Sequence, residues 1–281
     1  MRIIFTNAKG NNFEISGNYM LSPNWSGFGE VDAEHQRTRA PYQDGETYID
    51  TLLNTRVMTI EFTILGVNRQ EVFDRRRIVA DHFNPKLGIG TLKWIQEGKE
   101  FWIECIPDTP IFASGDGQSK NHQAVIVQFH AFNPYWYDPN QIQKVMVGFS
   151  GGWSYPWSYP MSYGQIGTQL TINNVGYETP VQIYFYGRVV NPKVKNLTTN
   201  KEISVVKTIE YGEILIINTA FGEKSVTILS GGEYINAFEY VDPDSEFWNL
   251  VSGENILSYT ATSEGENAEC RVLYYYRYSG V

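Results

Sequence analysis

The chain has 281 residues, of which 22 Lys+Arg stand against 31 Asp+Glu for a net charge of −9, and with a pI near 5.0 it is not built to wrap phosphate backbones. Its length is about twice that of a typical domain, so two domains are expected. No stretch approaches the roughly 18–20 apolar residues that cross a bilayer. The start turns polar at Thr6-Asn7 with no signal-like apolar run, so folding in a cytoplasm is expected, without membrane insertion. Fifteen Phe, seven Trp and nineteen Tyr favour pleated, half-buried surfaces over helical bundles. Cys105 and Cys270 are expected as separate buried thiols, too few for a cysteine metal cluster.

Along the first half, Asp44-Gly45 signals a tight turn. In Met58-Thr59-Ile60-Glu61-Phe62-Thr63-Ile64 every second side chain is apolar, which predicts a strand with one buried face. Asn68 as N-cap, Glu71 three residues on, and Val72, Val79 and Phe83 at helical spacing predict a helix from about Arg69 to Phe83. Asn84-Pro85 and Gly88 stop it. Its Arg75-Arg76-Arg77 run reads as a solvated helix face or as subunit salt bridges. Phe101–Ile106 and Ala124–Phe129 read as strands, and the polar, glycine-rich stretch Ser114–Asn121 between them as a loop or projecting hairpin tip.

A composition change follows Pro134–Pro139. Residues 148–166 contain Trp153-Ser154-Tyr155-Pro156, Trp157-Ser158-Tyr159-Pro160 and Met161-Ser162-Tyr163-Gly164, a tandem repeat whose prolines exclude a regular helix. It reads as an extended interdomain linker, or as an aromatic docking strip. From Thr168 short strands return at Gln169–Ile172, Val181–Tyr186, Ile214–Ile217, Ser225–Leu229 and Arg271–Tyr276, predicting a β-sandwich or jelly roll. The expected domains are therefore 1–147 and 167–281, with 148–166 between them.

The chemistry-bearing motifs fail on context. Gly148-Phe149-Ser150-Gly151-Gly152 matches a nucleophile elbow, yet His35, His82, His122 and His130 all precede Ser150 and no strand–turn–helix pattern surrounds it. Asp242, Asp244 and Glu246 alternate like the start of a calcium loop, but Phe247 and Gly253 stand where the turning glycine and bidentate glutamate belong. They read as a polar turn before a strand at Phe247–Leu250. Gly88-Ile89-Gly90 and Gly98-Lys99-Glu100 complete neither phosphate-binding pattern. No catalytic, cofactor-binding or metal-ligating residue emerges, and no cofactor is expected.

The order of features resembles the distal tail proteins of long-tailed, non-contractile bacteriophages of Gram-positive hosts. The resemblance runs from Asp44–Tyr48 through Arg56 into Thr59–Phe62, along Glu71–Phe83 with Asn84-Pro85, and into Ala131–Tyr137. It continues with Thr179-Pro180-Val181, Asn191–Asn196, Gly212–Ile217 and Leu250–Asn255. It implies a mainly β chain: an amino-terminal β-barrel or sandwich with one helix and an extended hairpin, then a carboxy-terminal galectin-like β-sandwich. It implies a non-enzymatic structural protein, a homo-hexameric ring between the tail tube protein and the central tail-tip protein, lining the DNA channel and holding the receptor-binding apparatus. The expected location is the virion tail tip, with assembly in the host cytoplasm. Sequence-specific nucleic-acid binding is not implied. A cell-wall carbohydrate-binding module is the competing reading, and a wall-degrading enzyme a further one.

Overall fold

The computed structural model describes residues 2–147, 149, 150, 165, 166, 168–265 and 268–281. The protein is mainly β and forms two compact units, Met1–Pro139 with Tyr278–Val281, and Asn140–Arg277.

The first unit is organised by an antiparallel sheet in the order Asn12–Glu14, Arg2–Thr6, Gly90–Gln96, Lys99–Pro107, His122–Ala131, Arg56–Leu65, Tyr19–Ser26. Its longest ladder runs from His122 opposite Leu65 to Ala131 opposite Arg56. The predicted alternation holds, since Met58, Ile60, Phe62 and Ile64 are all fully buried. These side chains share one core with Ile3, Phe5, Leu92, Ile103, Val125 and Phe129 from the rest of the sheet. Only a sheet that curls on itself lets strands so far apart in the order meet this way. Phe13 and Tyr19, on its two terminal strands, have ring centroids 4.7 Å apart.

One α-helix, Arg69–His82, buttresses this sheet through buried Val72 and Val79. Asn68 caps it by accepting from the Glu71 N–H at 3.0 Å. The reciprocal half of a capping box is displaced by one residue, because Glu71 Oε2 accepts from the Val67 N–H at 2.7 Å. Phe83 closes the helix, donating its N–H to Val79 O at 3.0 Å, and its ring packs against Phe5, Phe13 and Phe129.

The chain returns to this unit at its end. Tyr278 packs edge-on against Phe101 at 5.5 Å, and Val281 lies against the same core. The second unit is thus inserted between Pro139 and Tyr278 in the chain of the first. The sequence reading placed these last residues in the second domain, because a segment this short carries no periodicity to assign.

The second unit is a β-sandwich. One sheet runs Ile142–Val147, Glu269–Tyr274, Gln182–Tyr186, Ile214–Asn218, Ser225–Ser230, Glu233–Asn236, and the other Thr168–Asn174, Gly253–Thr260, Lys193–Asn196, Lys201–Ser204. Phe185, Leu215, Ile217, Ile228 and Val272 from the first meet Ile172, Val194, Ile203, Leu257 and Tyr259 from the second in one core. Ile142–Val147 pairs residue by residue with Glu269–Tyr274, so this strand, assigned to the first domain from sequence, belongs to the second unit.

Of the 148–166 stretch the structure describes residues 149, 150, 165 and 166, which fall in the second unit. Phe149–Ser150 pairs antiparallel with Gln165–Ile166, and the strands on either side are both sandwich strands. The Trp153–Tyr163 repeat itself lies outside the described residues. Phe247–Leu250, expected as a strand, has no ladder beyond one bridge between Thr179 and Leu250. Trp248 and Leu250 are nevertheless buried, since burial without a neighbouring strand gives the same apolar letters.

Candidate functional site

Among the described residues, those that could carry chemistry do not converge. His35 Nδ1 lies 2.8 Å from Thr51 Oγ1, and His82 Nε2 3.2 Å from Phe5 O. His130 Nε2 lies 3.1 Å from Asp108 Oδ2. His122 Nδ1 lies 2.7 Å from Ser119 Oγ, a local contact across a turn whose other partner is Asn121 at 2.8 Å. Cys105 and Cys270 are buried in different cores, and burial holds the Cys105 thiol far above its ordinary pKa, so it is no nucleophile. Asp242 accepts from the Asp244 N–H at 3.0 Å and its carbonyl from the Ser245 N–H at 2.9 Å, the arrangement of a polar turn. Among the described residues no group of three or more His, Cys, Asp or Glu lies together as a metal site. The features that invite a partner are surfaces.

The first is a hairpin, Ala33–Thr38 with Thr47–Leu53, whose strands pair, among the described residues, only with each other. Its ladder runs from Ala33 opposite Leu53 to Gln36 opposite Asp50, then shifts so that Arg37 faces Tyr48 and Ile49 is the extra residue of a bulge. An Asn54 N–H to Asp32 O bond of 2.8 Å closes its base. The tight turn is not at Asp44-Gly45. It is at Ala40-Pro41-Tyr42-Gln43, where the Gln43 N–H donates to Ala40 O at 3.1 Å. Pro41 fixes the first corner, and Tyr42 takes the left-handed conformation at φ 67° that a type II turn requires of its second corner. Tyr42, Tyr48, Ile49 and Leu52 are all exposed.

The second is the outward face of the helix with the strand Ile111–Phe112 beside it. Phe73, Ile78 and Ile111 are exposed. The Arg69 and Arg76 guanidiniums lie over the Phe73 ring at 5.4 and 5.2 Å, and Arg76 also lies 4.5 Å from the Phe112 ring centre. The Arg75-Arg76-Arg77 run is therefore not one uniform solvated face. Arg75 turns inward to the Leu65 carbonyl and the Glu71 carboxylate, Arg76 covers rings, and Arg77 is exposed.

The third is the outer face of the six-stranded sheet. Register puts Val147, Glu269, Tyr186, Ile214, Leu229 and Tyr234 in one row across the strands. Val145, Arg271, Tyr184, Ile216 and Thr227 form the next. Tyr184 and Tyr186 stack at 6.2 Å with 15° between planes, and Arg271 sits 4.3 Å over Tyr186 while pairing with Glu269. Burial raises the Tyr184 phenol pKa, and the Tyr186 and Tyr234 hydroxyls add to the shift. The opposite sheet presents an ordinary polar exterior, with Lys193 and Lys195 on Glu202 at 2.8 and 3.8 Å.

Two of these surfaces were not singled out from sequence. The hairpin strand Ala-Glu-His-Gln-Arg-Thr is polar on both sides and carries no alternation. The tyrosine face had a readable signal in Ile183-Tyr184-Phe185-Tyr186 and Ile214-Leu215-Ile216-Ile217, because strands apolar on both faces read as continuous runs.

Comparison with known proteins bears directly on these surfaces. The phage tail protein RIFT-related domain matches residues 12–130, and the siphovirus-type tail component C-terminal domain matches residues 174–278. No curated protein matches the sequence. Among solved structures, the Dit protein of phage SPP1, described as a paradigm of the hub adsorption apparatus in Gram-positive-infecting phages, superposes with a TM-score of 0.70 at 12% identity. That match covers 98% of this chain and 99% of that one. A chain of the phage P2 baseplate in its activated conformation with Ca gives 0.55 at 13% identity, over 100% and 99% of the two chains. The p2 baseplate with Sr gives 0.53 at 14%, over 97% of each. At these identities the structural likeness speaks for the fold, while the two family matches, in order along the chain, speak for descent. The chain belongs to the siphovirus-type tail components, as a siphophage distal tail protein.

Proposed function

We propose that the protein is a non-enzymatic hub of the virion tail tip, closing as a ring of six copies around the DNA channel. The ring joins the tail tube protein to the central tail-tip protein and to the receptor-binding apparatus. The observation that carries this reading is the hairpin Ala33–Thr38/Thr47–Leu53. A two-stranded hairpin alone is marginal in water, and this one exposes Tyr42, Tyr48, Ile49 and Leu52. It needs a surface to lie on, and a head-to-tail contact between identical chains closes into a ring when its rotation permits. Light scattering across a concentration series, with negative-stain images of the same fractions, tests it. Rings of about six subunits are expected, and a chain that stays monomeric at every concentration overturns the reading.

The tyrosine face favours a second reading, binding of a neutral cell-wall saccharide. Glu269 and Arg271 neutralise each other there, and what remains is hydroxyl and aliphatic surface. Such a surface fits a chain of uncharged sugars, whose C–H faces pack on Ile214, Ile216 and Leu229 while their hydroxyls bond to the tyrosines. Retention of purified neutral wall polysaccharide by the whole protein, lost in Tyr184→Ala/Tyr186→Ala with an unchanged fold, is the expected result. Equal retention by both proteins rules it out.

A further inference from the structure

The six-stranded sheet of the second unit ends on the strand Glu233–Asn236. The Gly231-Gly232 turn before it has φ of 60° and 90°, the type I′ geometry that joins two strands through two residues. It sets Ser230 opposite Glu233 as a hydrogen-bonded pair. Bonded pairs then fall on every second residue, through Ile228 with Ile235 to Ala237, whose N–H donates to Val226 O at 2.9 Å. The N–H and C=O groups of Tyr234 and Asn236 therefore point the other way, to an edge that no strand among the described residues occupies. All four residues of this strand are exposed.

The chain closes the neighbouring edge and leaves this one open. Beyond Asn236 it crosses to the second sheet, where Tyr240 O accepts from the Val206 N–H at 2.7 Å. The Asp242 N–H then donates to Ser204 O at 2.9 Å and the Glu246 N–H to Glu202 O at 2.8 Å. Lys201–Ser204 is covered along its edge in this way. Glu233–Asn236 is not, and it carries none of the prolines, lysines or bulges with which native edges turn other strands away.

Its surroundings define an occupant. Ile235 pairs with buried Ile228 on the core side of the sheet, yet is 53% exposed. Beside it the exposed Phe238 ring stacks on Phe247 at 5.8 Å. A strand added here lays alternate side chains on this apolar ledge and the others beside Tyr234. Glu233 and Glu239 make no ion pair among the described residues, nor do Glu213 and Glu223 at the starts of the neighbouring strands, and Asp242 and Asp244 follow in the next turn. Against these acids stand Lys207 and Lys224, which lie over Tyr240 at 3.9 Å and Phe247 at 5.7 Å. Lys201 is taken by Glu246 at 3.3 Å. The edge is acidic, and a basic segment complements it.

We propose that Glu233–Asn236 takes up, as a seventh strand, an antiparallel extended segment of another polypeptide, apolar at alternate positions and basic at its ends. The contact lies within the second unit and is independent of ring closure, so its failure leaves the hub reading standing.

The probe is the synthetic peptide acetyl-Lys-Thr-Val-Thr-Val-Thr-Lys-amide, titrated into the full-length protein. Its valines fall on the ledge and its lysines toward Glu233 and Glu239, while the N–H groups of its second and third threonines face Asn236 and Tyr234. Saturable binding is expected, with slowed hydrogen exchange at those two amides. N-methylation of these two threonines should weaken it by at least about tenfold, and N-methylation of the two valines, whose N–H groups point away, should change it little. Tyr234→Pro removes a donor from the free edge and none from the ladder with Ser225–Ser230. It should weaken binding well beyond Tyr234→Ala, at matched thermal midpoints.

Absence of saturable binding at millimolar peptide overturns the proposal. So does equal loss from both N-methylated peptides, equal binding by the Tyr234→Pro and Tyr234→Ala proteins, or equal binding of a peptide with glutamates in place of its lysines.

Discussion

The Arg56 guanidinium donates to the backbone carbonyl of Ser279, 223 residues later in the sequence. Its other N–H groups are spent on the carbonyls of Pro134 at 2.8 Å, Gly27 at 2.7 Å, Phe28 at 3.1 Å and Glu30 at 2.7 Å. A cation with 1% of its surface exposed is held here almost wholly by peptide dipoles. Burial pulls its pKa down, and the nearby Glu30 carboxylate opposes that. The beginning of the Arg56–Leu65 strand, the Gly27–Glu30 turn and the returning carboxy terminus are pinned to one side chain.

Arg56→Met should therefore destabilise the first unit by at least about 3 kcal/mol, because several buried carbonyls lose their donor at once. Arg56→Lys keeps the charge but cannot span the same fork of acceptors, and should fall between. Amide hydrogen exchange locates the effect. Protection should drop along Arg56–Leu65 and hold along Gln182–Tyr186, and an equal loss in both strands contradicts the assignment.

Gly27 is fixed twice over. It sits at φ +83°, and a Cβ there would lie 2.1 Å from Val57 O, so neither conformation nor space admits a side chain. Gly27→Ala should cost more than about 2 kcal/mol, read as a fall in the thermal midpoint. The control Gly29→Ala, where a Cβ meets nothing within 4 Å, should be close to neutral.

What sequence alone could deliver follows from how each element is stabilised. Arg56–Leu65 and the helix were legible because one face of each is buried, which imposes a period of two or of 3.6 on the letters. The return of Tyr278–Val281 was illegible because it is held by the backbone and by single contacts such as Tyr278 on Phe101, which impose no period. The Asp44-Gly45 signal pointed to the right loop and the wrong corner. Gly45 does adopt positive φ, but so does Tyr42, which composition rules do not expect there. The aromatic repeat, which reads as a linker because proline and glycine break strands, lies outside the described residues.

Histidine 82 gives the first unit a pH dependence. Its ring lies among Phe5, Phe13 and Phe83, and burial lowers its pKa below the ordinary value, only partly offset by the Phe5 carbonyl. The unfolded chain thus takes up this proton first, at about pH 6.5. Stability is complete above that value and declines as pH falls toward the lower folded value. Glu30 acts in a separate, more acid window. The Gly27 N–H and further backbone hydrogen bonds hold its carboxyl below the ordinary range, so its contribution is present above about pH 4.3 and is lost below. Thermal midpoints between pH 7.5 and 5.5 should fall for the wild type and fall less for His82→Gln, while Glu30→Gln lowers the midpoint throughout this window without changing its slope and flattens the fall on the more acid limb. Identical slopes for wild type and His82→Gln in the upper window contradict the assignment.

Tyr42 separates stability from assembly. A non-glycine residue at φ 67° costs about 1–2 kcal/mol against the right-handed or extended regions, and this one is fully exposed, so nothing within its own chain compensates the strain. Strain held at an exposed loop tip points to a contact made outside the subunit. Tyr42→Gly relieves the strain but adds flexibility to the unfolded loop, so monomer stability should shift by less than about 1 kcal/mol. Ring assembly should weaken severalfold in the same variant, because the hairpin tip loses its largest apolar side chain. Sedimentation velocity of wild type and Tyr42→Gly at matched concentrations decides the matter. A variant with unchanged stability and unchanged ring content would show that the tyrosine is no part of the subunit contact.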